Sequence, residues 1–214
     1  MRCGLLGKKL GHSYSPQIHG YLGNYSYALF EKSPEELEDF LKNGEFAGLN
    51  VTIPYKQQVI PLLDEMDETA SQIGAVNVIK FIRKNNTLTL KGYNSDAIGF
   101  EQSLLPLLQS QHKKALVLGT GGASKAVSYI LKKNGIEVTF ISRTPKEGQI
   151  SYQEITSQIM AEYKLIVNCT PLGMYPVDAC PDIPYECLTS EHLLYDLIYN
   201  PEKTDSTFLL RCQV

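Results

Sequence analysis

Lys56 and Asp96 are the residues of this chain whose types and settings most suggest chemistry. Each closes a short polar segment: Lys56 ends Asn50-Val-Thr-Ile-Pro-Tyr-Lys56, and Asp96 ends Gly92-Tyr-Asn-Ser-Asp96. Each also stands where a strand pattern gives way to a helix pattern. A third segment, Gly119-Thr-Gly-Gly-Ala123, follows directly on the apolar run Ala115-Leu-Val-Leu118. A lysine, an aspartate and a glycine-rich dinucleotide loop are the parts of a carbonyl reduction. A nicotinamide cofactor would bring hydride and the charged pair would manage the proton.

The glycine segment, Gly119-x-Gly121-x-x-Ser124, departs from the usual dinucleotide fingerprint at its last position. Its setting between a strand and a helix carries the reading. Gly119 suits a tight turn, and Gly121 lets the backbone approach a pyrophosphate. The helix N-terminus then offers N–H groups and a positive dipole end. Small Ala123 and Ala126 let the helix pack closely on a sheet. The alternative is a plain glycine turn with no ligand. NAD sites usually carry an acid about 20 residues further on, bound to the ribose. Here that region reads Ile141-Ser-Arg-Thr144, without an acid. Arg143 can pair with a 2′-phosphate, and Ser142 and Thr144 can donate hydrogen bonds to it. NADP is therefore expected over NAD, with Arg143 as a solvated surface residue the other reading.

Taken singly, Lys56 reads as an exposed lysine, Asp96 as the N-cap of a helix over 97–108, and Ser13 and Ser15 as turn and cap residues before Pro16. Those readings leave unexplained why Ser13, Ser15, Asn50, Thr52, Lys56, Asn77, Asn94 and Asp96 all fall at strand ends, where ligands of α/β folds collect. Such groups suit a small polyhydroxylated acid better than an apolar ligand.

The elements that would position these residues alternate along the chain. Strand patterns cover 3–6, 25–30 and 46–53, the last ending at Pro54. Ser15-Pro16 reads as an N-cap with proline at the first helical position, and Ser33-Pro34 caps a helix with Leu37, Phe40 and Leu41 on one face. A short helix is expected over 57–63. Strands over 76–82 and 87–90 flank Asn85-Asn86, a hairpin turn. In the second half, strands are expected over 115–118, 136–141, 165–167 and 193–198. A helix of Ala123, Ala126, Val127, Ile130 and Leu131 stops at Asn134-Gly135. This period implies a parallel sheet with right-handed crossovers. The reading is α/β: a substrate domain over 1–100, then a Rossmann-like dinucleotide-binding domain over 101–214.

With 214 residues, 43% of them hydrophobic and 20% charged, the chain has room for an ordinary core or two. A net charge of −3 argues against a nucleic-acid partner, which would need a basic stripe. Five cysteines without a paired motif argue for reduced thiols rather than a disulfide framework or a zinc site. No apolar run nears the roughly 18 residues needed to cross a bilayer, and residues 1–8 are too short an apolar stretch for a signal peptide. A cytoplasmic protein without metal is expected.

The motifs resemble the shikimate dehydrogenase family. They run in family order: His12-Ser-Tyr-Ser-Pro16, Asn50-Val-Thr-Ile-Pro-Tyr-Lys56, Gly74-Ala-Val-Asn77, Gly92-Tyr-Asn-Ser-Asp96, Gly119-Thr-Gly-Gly-Ala123, Ser142-Arg-Thr144, Asn168-Cys-Thr-Pro-Leu-Gly-Met174 and Tyr195-Asp-Leu-Ile-Tyr-Asn-Pro201. The resemblance implies NADP-dependent, reversible reduction of 3-dehydroshikimate by a monomer or homodimer. It implies that Ser13 and Ser15 bind the substrate carboxylate, that Thr52, Asn77 and Asp96 bind ring hydroxyls, and that Lys56 serves catalysis with Asp96. Tyr199 would contact substrate and Leu197 would lie beside the nicotinamide. Gly119, Thr120, Gly121, Gly122, Ala123, Ser142, Arg143, Thr144, Thr170 and Met174 would complete the cofactor site. Ser95 stands where threonine is commoner, and Ser142 where asparagine is frequent. Family members continue past Asn200-Pro-Glu-Lys-Thr204 with helices that bring a substrate-binding glutamine, whereas this sequence stops at Val214 and Gln213 lies outside that motif. A quinate/shikimate dehydrogenase of broader specificity and a weakly catalytic ligand-binding remnant are the alternatives.

Overall fold

A computed structural model of the chain describes residues 1–11, 13–174 and 179–198. The chain divides into two units, Met1–Asp96 and Ala97–Val214.

In the first unit the N-terminal apolar run becomes β1 (Arg2–Gly7), whose last four residues are buried. Next comes α1 (Ser15–Leu22), where the expectation needs correcting. Its N-cap is Tyr14 rather than Ser15, and Pro16 is its second residue. The reason lies in Ser13, whose Oγ accepts the Ser15 N–H at 3.2 Å and so moves the start back. β2 (Ser26–Glu31) leads into a single 3₁₀ turn closed by a Ser33–Glu36 capping box, and then α2 (Leu37–Asn43). β3 (Gly48–Val51) is shorter than the strand expected over 46–53. The helix expected over 57–63 is instead α3 (Tyr55–Gln58) followed by a 3₁₀ turn, Ile60–Leu62, because Pro61 has no N–H to continue the ladder.

β4 (Glu65–Met66), α4 (Glu68–Ile73), β5 (Val78–Lys84) and β6 (Thr87–Tyr93) complete the unit. Asn85 and Asn86 have φ of 52° and 60°. Both are left-handed, as the tight hairpin turn between twisted strands requires. The sheet order is β2-β1-β3-β5-β6-β4. β1 runs parallel to β2 and β3, while β5 is antiparallel to both β3 and β6, so this sheet is mixed. Leu6, Leu41, Leu49, Val51, Tyr55 and Ile79 lie at its buried centre.

α5 (Ser95–Leu104) starts two residues before the expected helix and ends earlier. Its continuation is a 3₁₀ turn at Leu105–Leu107, since Pro106 breaks the α ladder. The second unit then runs β7 (Lys114–Leu118), α6 (Gly122–Lys133), β8 (Glu137–Ile141), β9 (Gln149–Ile150), α7 (Ser157–Glu162), β10 (Leu165–Asn168) and β11 (Leu193–Asp196), with no α-helix between β8 and β9 or, among the described residues, between β10 and β11. All five strands are parallel, in the order β11-β10-β7-β8-β9. β9 has no counterpart in the sequence pattern, since two residues carry no periodicity. The order reverses between β7 and β10, the place where open α/β sheets bind ligands.

Candidate active site

Lys56 is placed by the turn that ends β3. The Thr52 N–H donates to the Leu6 carbonyl at 2.9 Å, and the Tyr55 N–H donates back to the Thr52 carbonyl at 2.9 Å. Tyr55 is fully buried, and its hydroxyl donates to the Lys32 carbonyl at 2.5 Å, which pins the turn to the core. On the far side the Lys56 carbonyl accepts the Val76 N–H at 2.7 Å. The Lys56 side chain is 17% exposed, and its Nζ donates to Asp96 Oδ2 at 2.6 Å.

Asp96 is not an N-cap. α5 opens at Ser95, so Asp96 lies within its first turn, and its carboxylate is engaged by side chains instead. Oδ2 takes the lysine, and Oδ1 accepts from Asn77 Nδ2 at 2.7 Å. Asn77 is only 7% exposed. Its Oδ1 accepts the Ser95 N–H at 2.8 Å, and its Nδ2 also reaches Ser95 Oγ at 3.0 Å. The neighbouring Asn94 donates to the Ala75 carbonyl at 2.9 Å, tying the end of β6 to the segment before β5. A hydrogen-bonded series thus runs Lys56–Asp96–Asn77–Ser95. Its carboxylate side chain is still 37% exposed, so the pair is ordered yet reachable.

Ser13, Ser15 and Thr52 belong to the same unit. Thr52 packs its methyl on Gly7, where a Cβ would lie 2.9 Å from Thr52 Cγ2 and 2.5 Å from Leu10 Cδ2, so the close approach requires glycine. Tyr27 donates its hydroxyl to Asn50 Oδ1 at 2.8 Å, and the Ser15 side chain lies near enough to act on it electrostatically. Burial pushes the Tyr27 hydroxyl up to about 12, so it stays a donor. Sequence reasoning passes over Tyr27, and over His19, which stacks on it. The signal was available in part: Ser15 and His19 are four apart on one helix face.

In the second unit, Gly119 has φ of 99°, and a Cβ there would stand 3.2 Å from Thr170 Cγ2. That is the tight turn expected of it, set against the end of β10. Around Gly121 the space is open. Gly121 caps α6 without a side-chain acceptor, and the first turn of α6 carries no acid. An anion therefore meets N–H groups and a dipole end with no competing carboxylate. Thr120 is exposed, while Gly122 and Ala123 are half-buried in the first turn. Ser142 is buried just beyond β8, and its Oγ accepts the Thr144 N–H at 3.2 Å. Arg143 is exposed and forms no ion pair among the described residues. These residues fit a pyrophosphate and an added phosphate.

The turn after β10 is built by Asn168, whose Oδ1 accepts from the Thr170 N–H at 3.0 Å and the Thr170 hydroxyl at 2.7 Å. Asn168 also donates to Asp196 at 3.2 Å, and the Leu197 N–H donates to the Asn168 carbonyl at 3.1 Å, which brings Thr170 and Leu197 together. Met174 is exposed at the end of this turn. Burial, and then the Asp196 charge, push the Cys169 thiol up, which keeps it protonated and unreactive. Tyr199 lies outside the described residues. Among the described residues, no group of three His, Cys, Asp or Glu could hold a metal ion, and no helix is long and apolar enough to cross a membrane.

A phosphate-ready glycine turn at a strand-order reversal, with an ordered lysine–aspartate pair in a companion sheet, is how a dinucleotide-dependent oxidoreductase is built. Comparison with known proteins narrows the class. A family model described as the shikimate dehydrogenase substrate binding domain matches residues 5–79. The shikimate dehydrogenase (NADP(+)) of Halothermothrix orenii is 39% identical, over 94% of this chain and 78% of that protein. A crystal structure of a chorismate mutase/shikimate 5-dehydrogenase fusion protein from Clostridium acetobutylicum matches with a TM-score of 0.85 at 36% identity, over 99% of this chain and 82% of that one. The Thermus thermophilus shikimate 5-dehydrogenase, in complex with NADP(H) and shikimate, matches with a TM-score of 0.83 at 31% identity, over 99% and 84%. The chain belongs to the shikimate dehydrogenase family.

Proposed function

We propose that the protein catalyses the reversible, NADP-dependent reduction of 3-dehydroshikimate to shikimate, with Lys56 and Asp96 at the reacting carbonyl. The observation that carries this reading is the 2.6 Å contact between Lys56 Nζ and Asp96 Oδ2, with Asn77 holding the other carboxylate oxygen. When bound, NADPH supplies the hydride. Reduction leaves the carbonyl oxygen needing a proton. Lys56, as an ammonium, stabilises that oxygen and donates the proton. Asp96 keeps the ammonium aimed, and Asn77 keeps Asp96 aimed. In the reverse direction a neutral Lys56 takes the proton from the substrate hydroxyl.

Ser13 and Ser15 are assigned to the substrate carboxylate. Thr52, Asn77 and Asp96 are assigned to the ring hydroxyls, with Tyr199 as a further substrate contact. Asn77 is already engaged by Ser95 and Asp96, so a ring hydroxyl meets it by sharing one of those protons. The turn from Gly119 to Ala123, with Thr120, Gly121 and Gly122 between, takes the pyrophosphate. Ser142, Arg143 and Thr144 take the 2′-phosphate, Thr170 and Met174 line the cofactor cleft, and Leu197 is assigned to the nicotinamide. This division assigns substrate to residues 1–100 and cofactor to 101–214. The same reading places the enzyme in the cytoplasm as a monomer or homodimer, with a small-molecule substrate and neither nucleic acid nor membrane as partner.

The test is turnover. Purified protein mixed with shikimate and NADP should form NADPH, and quinate in place of shikimate should be poorly used. Equal use of the two acids would point to a broader quinate/shikimate enzyme, and ligand-induced stabilisation without turnover would point to a binder.

A further inference from the structure

We infer that His19 is a positioning residue for the carboxylate end of the substrate, holding the helix that carries Ser15 against the strand that carries Tyr27. The inference rests on the assignment of Ser13 and Ser15 to the substrate carboxylate made above.

α1 has eight residues and none of them is buried. Its apolar side chains Ile18, Tyr21 and Leu22 are 53%, 83% and 70% exposed. A helix this short ordinarily owes its stability to an apolar face packed on a core, and α1 lacks that support. Its contacts with the sheet are aromatic and polar. The His19 ring lies flat on Tyr27, with centroids 3.9 Å apart and planes 13° from parallel. Its Nδ1 sits 2.6 Å from the Tyr25 hydroxyl, and that tyrosine ring meets the imidazole edge-on.

His19 follows Ser15 by one helical turn, so both project from one face of α1. That face is held to Tyr27 by the His19 stack, with the Ser15 side chain near the Tyr27 hydroxyl, which donates to Asn50 Oδ1 at 2.8 Å. Asn50 is two residues before Thr52. A connection therefore runs from α1 through β2 to β3, and both of its ends carry residues assigned to the substrate. The imidazole stacked on Tyr27 fixes the middle of that connection. Without the stack, nothing apolar on α1 holds Ser15 at its present distance from β2. Loss of His19 should therefore weaken recognition of the substrate's carboxylate and spare the proton transfer at Lys56.

The experiment compares wild type, His19→Ala, His19→Phe and Ser15→Ala with shikimate and with its methyl ester, which lacks the carboxylate charge. His19→Ala should raise the KM for shikimate roughly three- to tenfold, the size of one lost aromatic stack, with kcat and the KM for NADP near wild type. His19→Phe keeps a ring on Tyr27 and should stay near the wild-type KM, and it remains informative if the alanine variant is too unstable to assay. With the methyl ester, His19→Ala should change KM little. A wild-type KM in His19→Ala beside a raised KM in Ser15→Ala would overturn the inference and leave the carboxylate assignment standing. Equal rises for shikimate and its ester, or a fall in kcat and NADP affinity together, would overturn it by making His19 a general structural residue. An unchanged KM in Ser15→Ala would remove the carboxylate assignment and the inference with it.

Discussion

At the scale of single residues, the site separates groups that act from groups that aim. In the proposed mechanism Lys56 transfers the proton and Asp96 aims it. Asn77 aims Asp96 with one N–H while its carbonyl holds the Ser95 N–H, so one buried amide fixes both the carboxylate and the start of the helix that bears it. The role proposed for Arg143 is the most cleanly testable, because Arg143 forms no ion pair among the described residues and no acid stands beside it in Ser142-Arg-Thr144. Removing it should therefore cost phosphate recognition and little else. Arg143→Ala is expected to raise the KM for NADP by roughly 10- to 100-fold, as for a lost charge-assisted hydrogen bond of about 1.5–3 kcal/mol. The KM for NAD should barely move. Steady-state kinetics with both cofactors decides it, and equal changes would show that Arg143 does not read the 2′-phosphate.

At the scale of elements, the strand ends carry the site and the turns set its geometry. One such junction lies at the edge of the parallel sheet, where His192 precedes β11. Its Nε2 lies 2.8 Å from the Met160 carbonyl on α7, and its Nδ1 accepts the Thr189 N–H at 3.0 Å. A neutral ring satisfies both contacts. Burial first, and the nearby Lys164 as well, hold its pKa below the ordinary 6.5, although the Met160 carbonyl and Glu191 pull the other way. The unfolded chain then binds the proton more readily than the folded one. The contribution of His192 is present above about pH 6.5 and is lost as pH falls through the depressed folded value. Thermal melting against pH should show a shallower acid decline in His192→Gln than in wild type. Parallel profiles would mean that His192 does not set that decline.

Much of this scale was legible in the chain itself. The Asn85-Asn86 turn and the stop at Gly135 were readable because left-handed backbone favours those residue types. The strand from Ala115 to Leu118 was readable as an unbroken apolar run that ends at glycine. Less legible were features decided by contacts distant in sequence. Asp96 reads locally as a cap, and only Lys56, 40 residues away, and Asn77 show otherwise. β9 is held by pairing with β8 rather than by its own pattern. The ends of α3 and α5 are set by Pro61 and Pro106, which shift the last turn into 3₁₀ geometry.

At the scale of the whole molecule, two sheets with separate cores divide the labour. In the proposed reading the unit of the mixed sheet carries the Lys56–Asp96 pair and the unit of the parallel sheet carries the dinucleotide turn. A ligand that binds one folded unit stabilises that unit by mass action. NADP at 100 times its Kd should add about 2.7 kcal/mol to the unit over 97–214, seen as an upward shift in its melting transition. NAD at the same concentration should shift it less, and an equal shift would count against the phosphate site. In the proposed mechanism this family member reduces its substrate through Lys56. The most direct measurement is kcat for shikimate oxidation in wild type and in Lys56→Ala, with NADP affinity determined in both. Wild type should form NADPH, and the variant should show a kcat lower by roughly 100-fold or more with unchanged NADP binding. A Lys56→Ala enzyme that keeps wild-type kcat would contradict that mechanism.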